Sequence, residues 1–237
     1  MLLPLAGRPM LDYLLDRVDE IAELGEVRLV SNARFADDFR TWAAQRSQSG
    51  HLPVEVIDDG TTSNEDRLGA IGDMRFTIEQ AGLDGDDLFV VAGDNLIGYD
   101  LRDYVRFWRE RGGSAIALRH EPDPVLITQY GVVEVDESDR VVSFAEKPAE
   151  PRSSLAATAA YLYSADHVAL IPRYLDEGNP PDAPGNFVAW LHTRAPVYGY
   201  RFAGDWLDIG NKEQLLEADN LMRSRKGLPV RSEYSLT

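Results

Sequence analysis

Hydrophobic and polar positions alternate along this chain in two clear periods. Met10, Leu11, Leu14, Leu15, Val18, Ile21 and Ala22 recur at three- and four-residue spacing and predict a helix with one apolar face. Gly7 and Pro9 precede it, where a loop turns into a helix and proline's missing N–H does least harm. "VRLVS" (Val27–Ser31) reads as a short buried strand, and Phe35, Phe39, Trp42 and Ala43 then share a helical face. "VEVID" (Val54–Asp58) predicts a strand, and Leu68, Ile71, Arg75 and Ile78 return to helical spacing. "DLFVVAGDN" (Asp87–Asn95) is apolar enough to lie in the middle of a sheet. A helix through Leu101, Tyr104, Val105 and Trp108 follows, then the strand "SAIALRH".

This alternation implies an α/β fold, a doubly wound, mainly parallel (Rossmann-like) sheet with helices on both faces. The second half changes character. "YGVVEVDESDRVVSFAEKP" reads as an antiparallel hairpin around a polar turn at Glu137–Asp139, added to the parallel sheet. "TAAYLYS" is a further strand, and "ADHVALIPRYLDEG" a helix that Pro172 should kink or divide. "GNFVAWLHTR" predicts a helix, "VYGYRF" a strand, and "NKEQLLEADNLMRSRK" a last helix whose basic end suits its C-terminal dipole. No internal repeat or low-complexity linker interrupts the chain, so residues 1–237 are expected to form a single domain.

Composition narrows the chemistry. The 237 residues contain no cysteine, which excludes disulfides, thiolate metal sites and a cysteine nucleophile. No apolar run is long enough to span a bilayer, and Pro4, Gly7, Arg8 and Pro9 break up any signal-peptide core, so a cytoplasmic, membrane-free protein is expected. A formal net charge of −16 argues against a sequence-independent grip on nucleic acid. An acidic chain that handles phosphate needs metal ions or a few well-placed cations.

Three short stretches could carry that chemistry. "AGDN" (Ala92–Asn95) follows the most apolar strand, beyond whose carboxyl end ligands bind in open α/β sheets, although on its own a strand-ending Asx turn accounts for it better. "AEKP" (Ala145–Pro148) sets an acid beside a base at a strand end, as many solvated pairs do. "GDWLDIGNKEQL" (Gly204–Leu215) brackets a Trp-Leu pair with Asp205 and Asp208. Its structural reading places Trp206 in the core and lets Asp208 and Asn211 cap a helix.

In this order the three stretches resemble the sugar-1-phosphate nucleotidylyltransferases, which make nucleotide-activated sugars. "LLPLAGRPMLDYLLDRV" looks like the family's proline-leucine segment, and "RLGAIGDM" resembles its base-contacting loop. "QYGVVEVDESDRVVSFAEKP" is similar to its sugar-pocket hairpin, and "WLDIGNKEQLLEAD" to its closing motif. The resemblance implies a nucleotide-binding half (1–120) and a sugar-binding half (121–237), with a nucleoside triphosphate and a sugar 1-phosphate as substrates. It implies Mg²⁺ on the catalytic carboxylates Asp94 and Asp208, and Lys147 as the catalytic cation on the sugar phosphate. A pair of aspartates suits magnesium, and the four histidines lack ligand spacing. Glu146 would accept from sugar hydroxyls, Gly131 would let the backbone approach the sugar, and Gly69 would do the same for the base. Family members are often dimers or tetramers, so a homo-oligomer is possible.

The pattern also departs from the family. Relatives carry a first strand, a G-x-G-x-R loop and a lysine ahead of the segment that begins here at Leu2, so an upstream segment is expected, and without it an open slot in the sheet. Ala159 stands where the family often has glycine, and its methyl group would narrow the sugar site. These departures leave an alternative, a catalytically silent homologue that binds nucleotide sugar or serves as a regulatory subunit. A glycosyltransferase is less favoured, because "AGDN" offers one aspartate where such enzymes use an Asp-x-Asp pair.

Overall fold

The structure, a computed structural model, describes residues 1–236. In chain order the strands and helices of the first half are β1 (Pro4–Leu5), β2 (Arg8–Pro9), α1 (Met10–Val18), β3 (Val27–Ser31), α2 (Ala36–Ser47), β4 (Val54–Asp58), α3 (Ala70–Ala81), β5 (Leu88–Val91), β6 (Asn95–Ile97), α4 (Leu101–Arg111) and β7 (Ser114–His120). The second half contributes β8 (Gly131–Val135), β9 (Val141–Glu146), β10 (Leu155–Tyr163), α5 (Ala165–Val168), α6 (Ile171–Asp176), α7 (Pro184–Leu191), β11 (Val197–Arg201), β12 (Trp206–Asp208) and α8 (Lys212–Arg225).

The fold is α/β, with layers on both sides of a six-stranded sheet. Strand β10 lies at its centre. It pairs antiparallel with β7 along one edge, and with β8 and β5 end to end along the other. Outside these, β11 runs parallel to β7 and β9 antiparallel to β8. The expected hairpin is therefore present, and its turn is closed by Asp136, which accepts from the backbone N–H groups of Ser138 and Arg140. Strands from both sequence halves interleave, because β5 and β7 pair with β10 and β11.

Period-two alternation along β7 and β10 divides the core. Ile116, Leu118, Tyr161 and Tyr163 face one apolar cluster with Ile71, Ile171 and Phe187 from α3, α6 and α7. Ala115, Ala117, Ala160 and Leu162 face the other, with Leu14, Trp42 and Tyr104 from α1, α2 and α4. A smaller cluster of Leu5, Met10, Leu96, Leu215 and Met222 seats α8 against the β1–β2 hairpin and β6.

Four local expectations need correction, and the one at Pro172 holds. Helix α1 stops at Val18, and Ile21 is buried from the turn that follows. Phe35 lies outside, because it precedes the first full turn of α2, with the Arg34 guanidinium over its ring. Pro172 divides its helix into α5 and α6, sitting in the first turn of the second, where no N–H is missed. The strand read as central, β5, pairs on one edge only, with β10. Strand β3 likewise pairs only with β4, in a separate two-stranded parallel sheet. All residues of β3 and β5 are consequently half-buried, although Leu29, Val91 and Phe89 pack on the same apolar cluster.

Candidate active site

The site is built on a short antiparallel ribbon. Strand β6 pairs with β12 in the register Asn95↔Asp208, Leu96↔Leu207 and Ile97↔Trp206. Alternation puts Trp206 and Asp208 on one face of β12, opposite Asn95. Asp94 precedes β6, so the pairing delivers both predicted aspartates to one place although 114 residues separate them in the chain (208 − 94). The Asp94 carbonyl also accepts from the Ile209 N–H at 3.0 Å, which ties the two loops together.

Burial and mutual repulsion shape the electrostatics here. The Asp208 carboxyl is pushed above the ordinary carboxylate range, first by burial and then by the Asp94 charge, with Lys147 opposing. Lys147 therefore faces the same site. It has a left-handed backbone, φ 44°, and its N–H donates to the Tyr130 carbonyl at 3.1 Å. A lysine in that region costs about 1–2 kcal/mol, strain of the kind that persists where a side chain must be aimed. Lys147 and Asp208 line an open cavity of about 440 Å³ with Thr128, Gln129, Tyr130, Gly210, Asn211 and Gln214. Two half-buried carboxylates turned toward each other form a donor set that a hard divalent cation fits, sharing its remaining positions with phosphate oxygens and water.

Glu146 precedes Lys147 and ends β9. Burial raises its pKa, with Lys147 opposing. Its Oε2 lies in the space that a Cβ would need at both Gly131 and Gly185. The Phe144 ring crowds the same two glycines, its Cζ 2.5 Å from a Cβ built at Gly131. Gly131 is thus required by Phe144 and Glu146 themselves, a reason the sequence does not disclose. Gly69 has a comparable origin. At φ 78° it starts α3, and a Cβ there would meet the Pro181 carbonyl at 2.7 Å. Its close approach is to Pro181, a contact that by itself calls for glycine.

Ala159 sits at the junction where β8 and β5 meet along β10. It too is left-handed, φ 49°, inside the irregularity that shifts register between Ala157 and Tyr161. Its carbonyl accepts from the Ala92 N–H at 3.1 Å, the last bond before Gly93 and Asp94. Of the proposed caps, Asn211 does cap α8, accepting from the Gln214 N–H at 2.9 Å, whereas Asp208 stays in the site. Gln129, Tyr130 and Gln214 lie within the quoted stretches, but the sequence assigns them no role. Asn95 and Trp206 were within quoted motifs, but their partnership needs the ribbon.

Comparison with known proteins identifies the family. Residues 1–225 match the family described as nucleotidyl transferase. This chain belongs to that family. Among curated relatives, a glucose-1-phosphate thymidylyltransferase from an Actinoplanes species is 33% identical over 168 residues, covering 70% of this chain and 52% of the relative. A UTP–glucose-1-phosphate uridylyltransferase from Synechocystis is 26% identical over 238 residues, covering 95% of this chain and 58% of the relative. The chain thus spans little more than half the length of these two nucleotidyl transferases. A crystal structure of UDP-glucose pyrophosphorylase complexed with UDP-glucose shares the fold, with a TM-score of 0.76 at 19% identity over 94% of this chain and 90% of that one.

Proposed function

We propose that this nucleotidyl transferase joins a nucleoside triphosphate to a sugar 1-phosphate, giving a nucleoside-diphosphate sugar and pyrophosphate. The observation that carries the reading is the meeting of Asp94 and Asp208 across the β6–β12 ribbon, with Lys147 facing them over one open cavity. Such a reaction asks a protein for positioning and charge neutralisation more than for covalent work. Asp94 and Asp208 would hold Mg²⁺, which neutralises phosphate charge when bound. Lys147 supplies a point charge for the sugar phosphate, so that its oxygen can approach the α-phosphorus in line. Glu146, half-buried and left with acceptor capacity, would take hydrogen bonds from sugar hydroxyls. In this reading 1–120 serves the nucleotide and 121–237 the sugar, Gly131 shapes the sugar pocket, and Gly69 fixes the start of α3 beside the base. The partners are small molecules in the cytoplasm, with neither nucleic acid nor membrane involved. No described helix is long and apolar enough to cross a membrane.

The test is pyrophosphate release by the purified chain with Mg²⁺, across sugar 1-phosphates and the common nucleoside triphosphates. Asp208→Asn should lower turnover at least about 100-fold while leaving the fold intact. Unchanged turnover would remove Asp208 from the site. One observation favours a second reading: among the cavity's lining residues Lys147 is the cation, against two heavily charged substrates. Binding of nucleotide sugar without pyrophosphate release in any combination would make this a silent binding homologue.

A further inference from the structure

Asn95 is 1% exposed and Trp206 3% exposed, so neither side chain is placed to meet solvent. The Trp206 indole N–H donates to Asn95 Oδ1 at 2.6 Å. The Asn95 amide then donates to Asp94 Oδ1 at 2.9 Å and to Asp208 Oδ1 at 3.4 Å. Donor chemistry fixes the direction of this chain. Indole can only donate, so it must face the amide oxygen, which turns the amide –NH₂ toward the two carboxylates. That group has one hydrogen for each of them. Both bonds use Oδ1, and each Oδ2 stays outside the amide's grip.

Trp206 is in turn held on other sides. Its carbonyl accepts from Arg119 at 2.9 Å, the Arg119 guanidinium lies over its ring, and Tyr130 packs edge-on with ring centroids 5.1 Å apart. The indole therefore cannot swing away and let the amide rotate. The nearest isosteres of asparagine do not do the same work at position 95. Aspartate would add a third carboxylate, and leucine would leave the indole N–H buried without an acceptor.

We infer that Asn95, oriented by Trp206, is a positioning residue that sets the spacing of Asp94 and Asp208 and so keeps the divalent-cation site preformed. The inference rests on the reading of those aspartates as metal carboxylates. A neutral amide can hold two like charges at a fixed separation without displacing the cation, which a lysine or arginine in the same place would do. Trp206 thus connects the apolar interior to the metal site through one side chain.

The experiment measures Mn²⁺ binding directly, from the paramagnetic resonance signal of free Mn²⁺, with no turnover involved. Trp206→Phe keeps an aromatic ring but removes the donor, and Asn95→Leu removes the amide; urea midpoints establish that each variant is folded. Both should weaken Mn²⁺ binding about 10- to 100-fold, the usual consequence of losing a group that orients a ligand. The Michaelis constant for sugar 1-phosphate should stay near the wild-type value at saturating metal. Mn²⁺ affinities within about threefold of wild type in the folded variants would overturn the inference. So would an effect confined to Asn95→Leu and to the sugar 1-phosphate constant, which would make Asn95 a substrate contact. Wild-type protein that takes up no Mn²⁺ would overturn the metal reading itself, and the inference with it. Should Trp206→Phe not fold, Trp206→His, which keeps a ring N–H, against Trp206→Leu in the same Mn²⁺ measurement tests the orienting bond, and Asn95→Leu tests the hold on the two aspartates.

Discussion

Ala159→Gly is the substitution whose outcome the backbone fixes most directly. Ala159 holds φ 49°, where a Cβ crowds the following carbonyl at a cost of about 1–2 kcal/mol. Glycine removes that cost. It also frees the unfolded chain, which costs about 0.4–1 kcal/mol, and forfeits a methyl group worth at most about 0.8 kcal/mol if fully buried. Ala159 is only half-buried, so the three terms leave a change between about zero and 1 kcal/mol in favour of the variant. The next residue serves as the control. Ala160 is fully buried and has ordinary strand geometry, so Ala160→Gly bears the same unfolded-state term and the whole methyl loss, with no relief. It should destabilise by about 1.5 kcal/mol. Urea unfolding with unchanged m-values reads both, and the two variants should differ by about 1.5–2.5 kcal/mol. Because the Ala159 carbonyl holds the Ala92 N–H at the root of the Asp94 loop, relaxing it should also lower the Michaelis constant for a bulkier sugar 1-phosphate. Equal destabilisation by both glycines would refute the strain argument.

Other expectations concern charge. Burial, with the Asp59 charge adding to it, pushes the Asp73 carboxyl up to about 6, and its Oδ1 is buried without a hydrogen-bond partner. The folded state then binds a proton more tightly than the unfolded one, so this group's contribution is present below about pH 4 and is lost as pH rises through 6. Asp73→Asn should flatten that decline and gain about 1 kcal/mol at pH 7.5, with little change at pH 4, by urea unfolding at both values. Arg46 is buried between α1 and α2 on Asp16 and Asp19, the latter also meeting His51. Arg46→Leu removes the guanidinium while Arg8 still pairs Asp16, and His51 and the Leu52 N–H still meet Asp19, so it should cost about 1–3 kcal/mol, whereas a loss under about 0.5 kcal/mol would show that solvent replaces Arg46. Glu146→Gln should raise the sugar 1-phosphate Michaelis constant by about 10- to 100-fold with the nucleotide constant unchanged, and an equal effect on both would move Glu146 out of the sugar pocket.

Much of this protein is written locally in its sequence. The periods of 3.6 and 2 located the longer helices and strands, because burial of one face is decided within a few residues, and missed the two- and three-residue strands β1, β2, β6 and β12. Pro172 divided its helix, Asn211 capped α8, and Asp136 closed the hairpin turn, each through groups no more than four residues away. The three motifs also named Asp94, Lys147 and Asp208, which the tertiary structure brings to one site. Tertiary structure alone decided the rest. The apolar run of β5 could not tell one neighbouring strand from two, since composition reports burial and not pairing. Gly69 and Gly131 show no sign in the chain of Pro181 or Phe144, the groups that exclude a Cβ at each. Asn95 and Trp206 lie 111 residues apart, and only the β6–β12 register turns them into a single hydrogen-bonded support for two like charges. Such long-range pairs depend on where whole elements dock, and no local period encodes that.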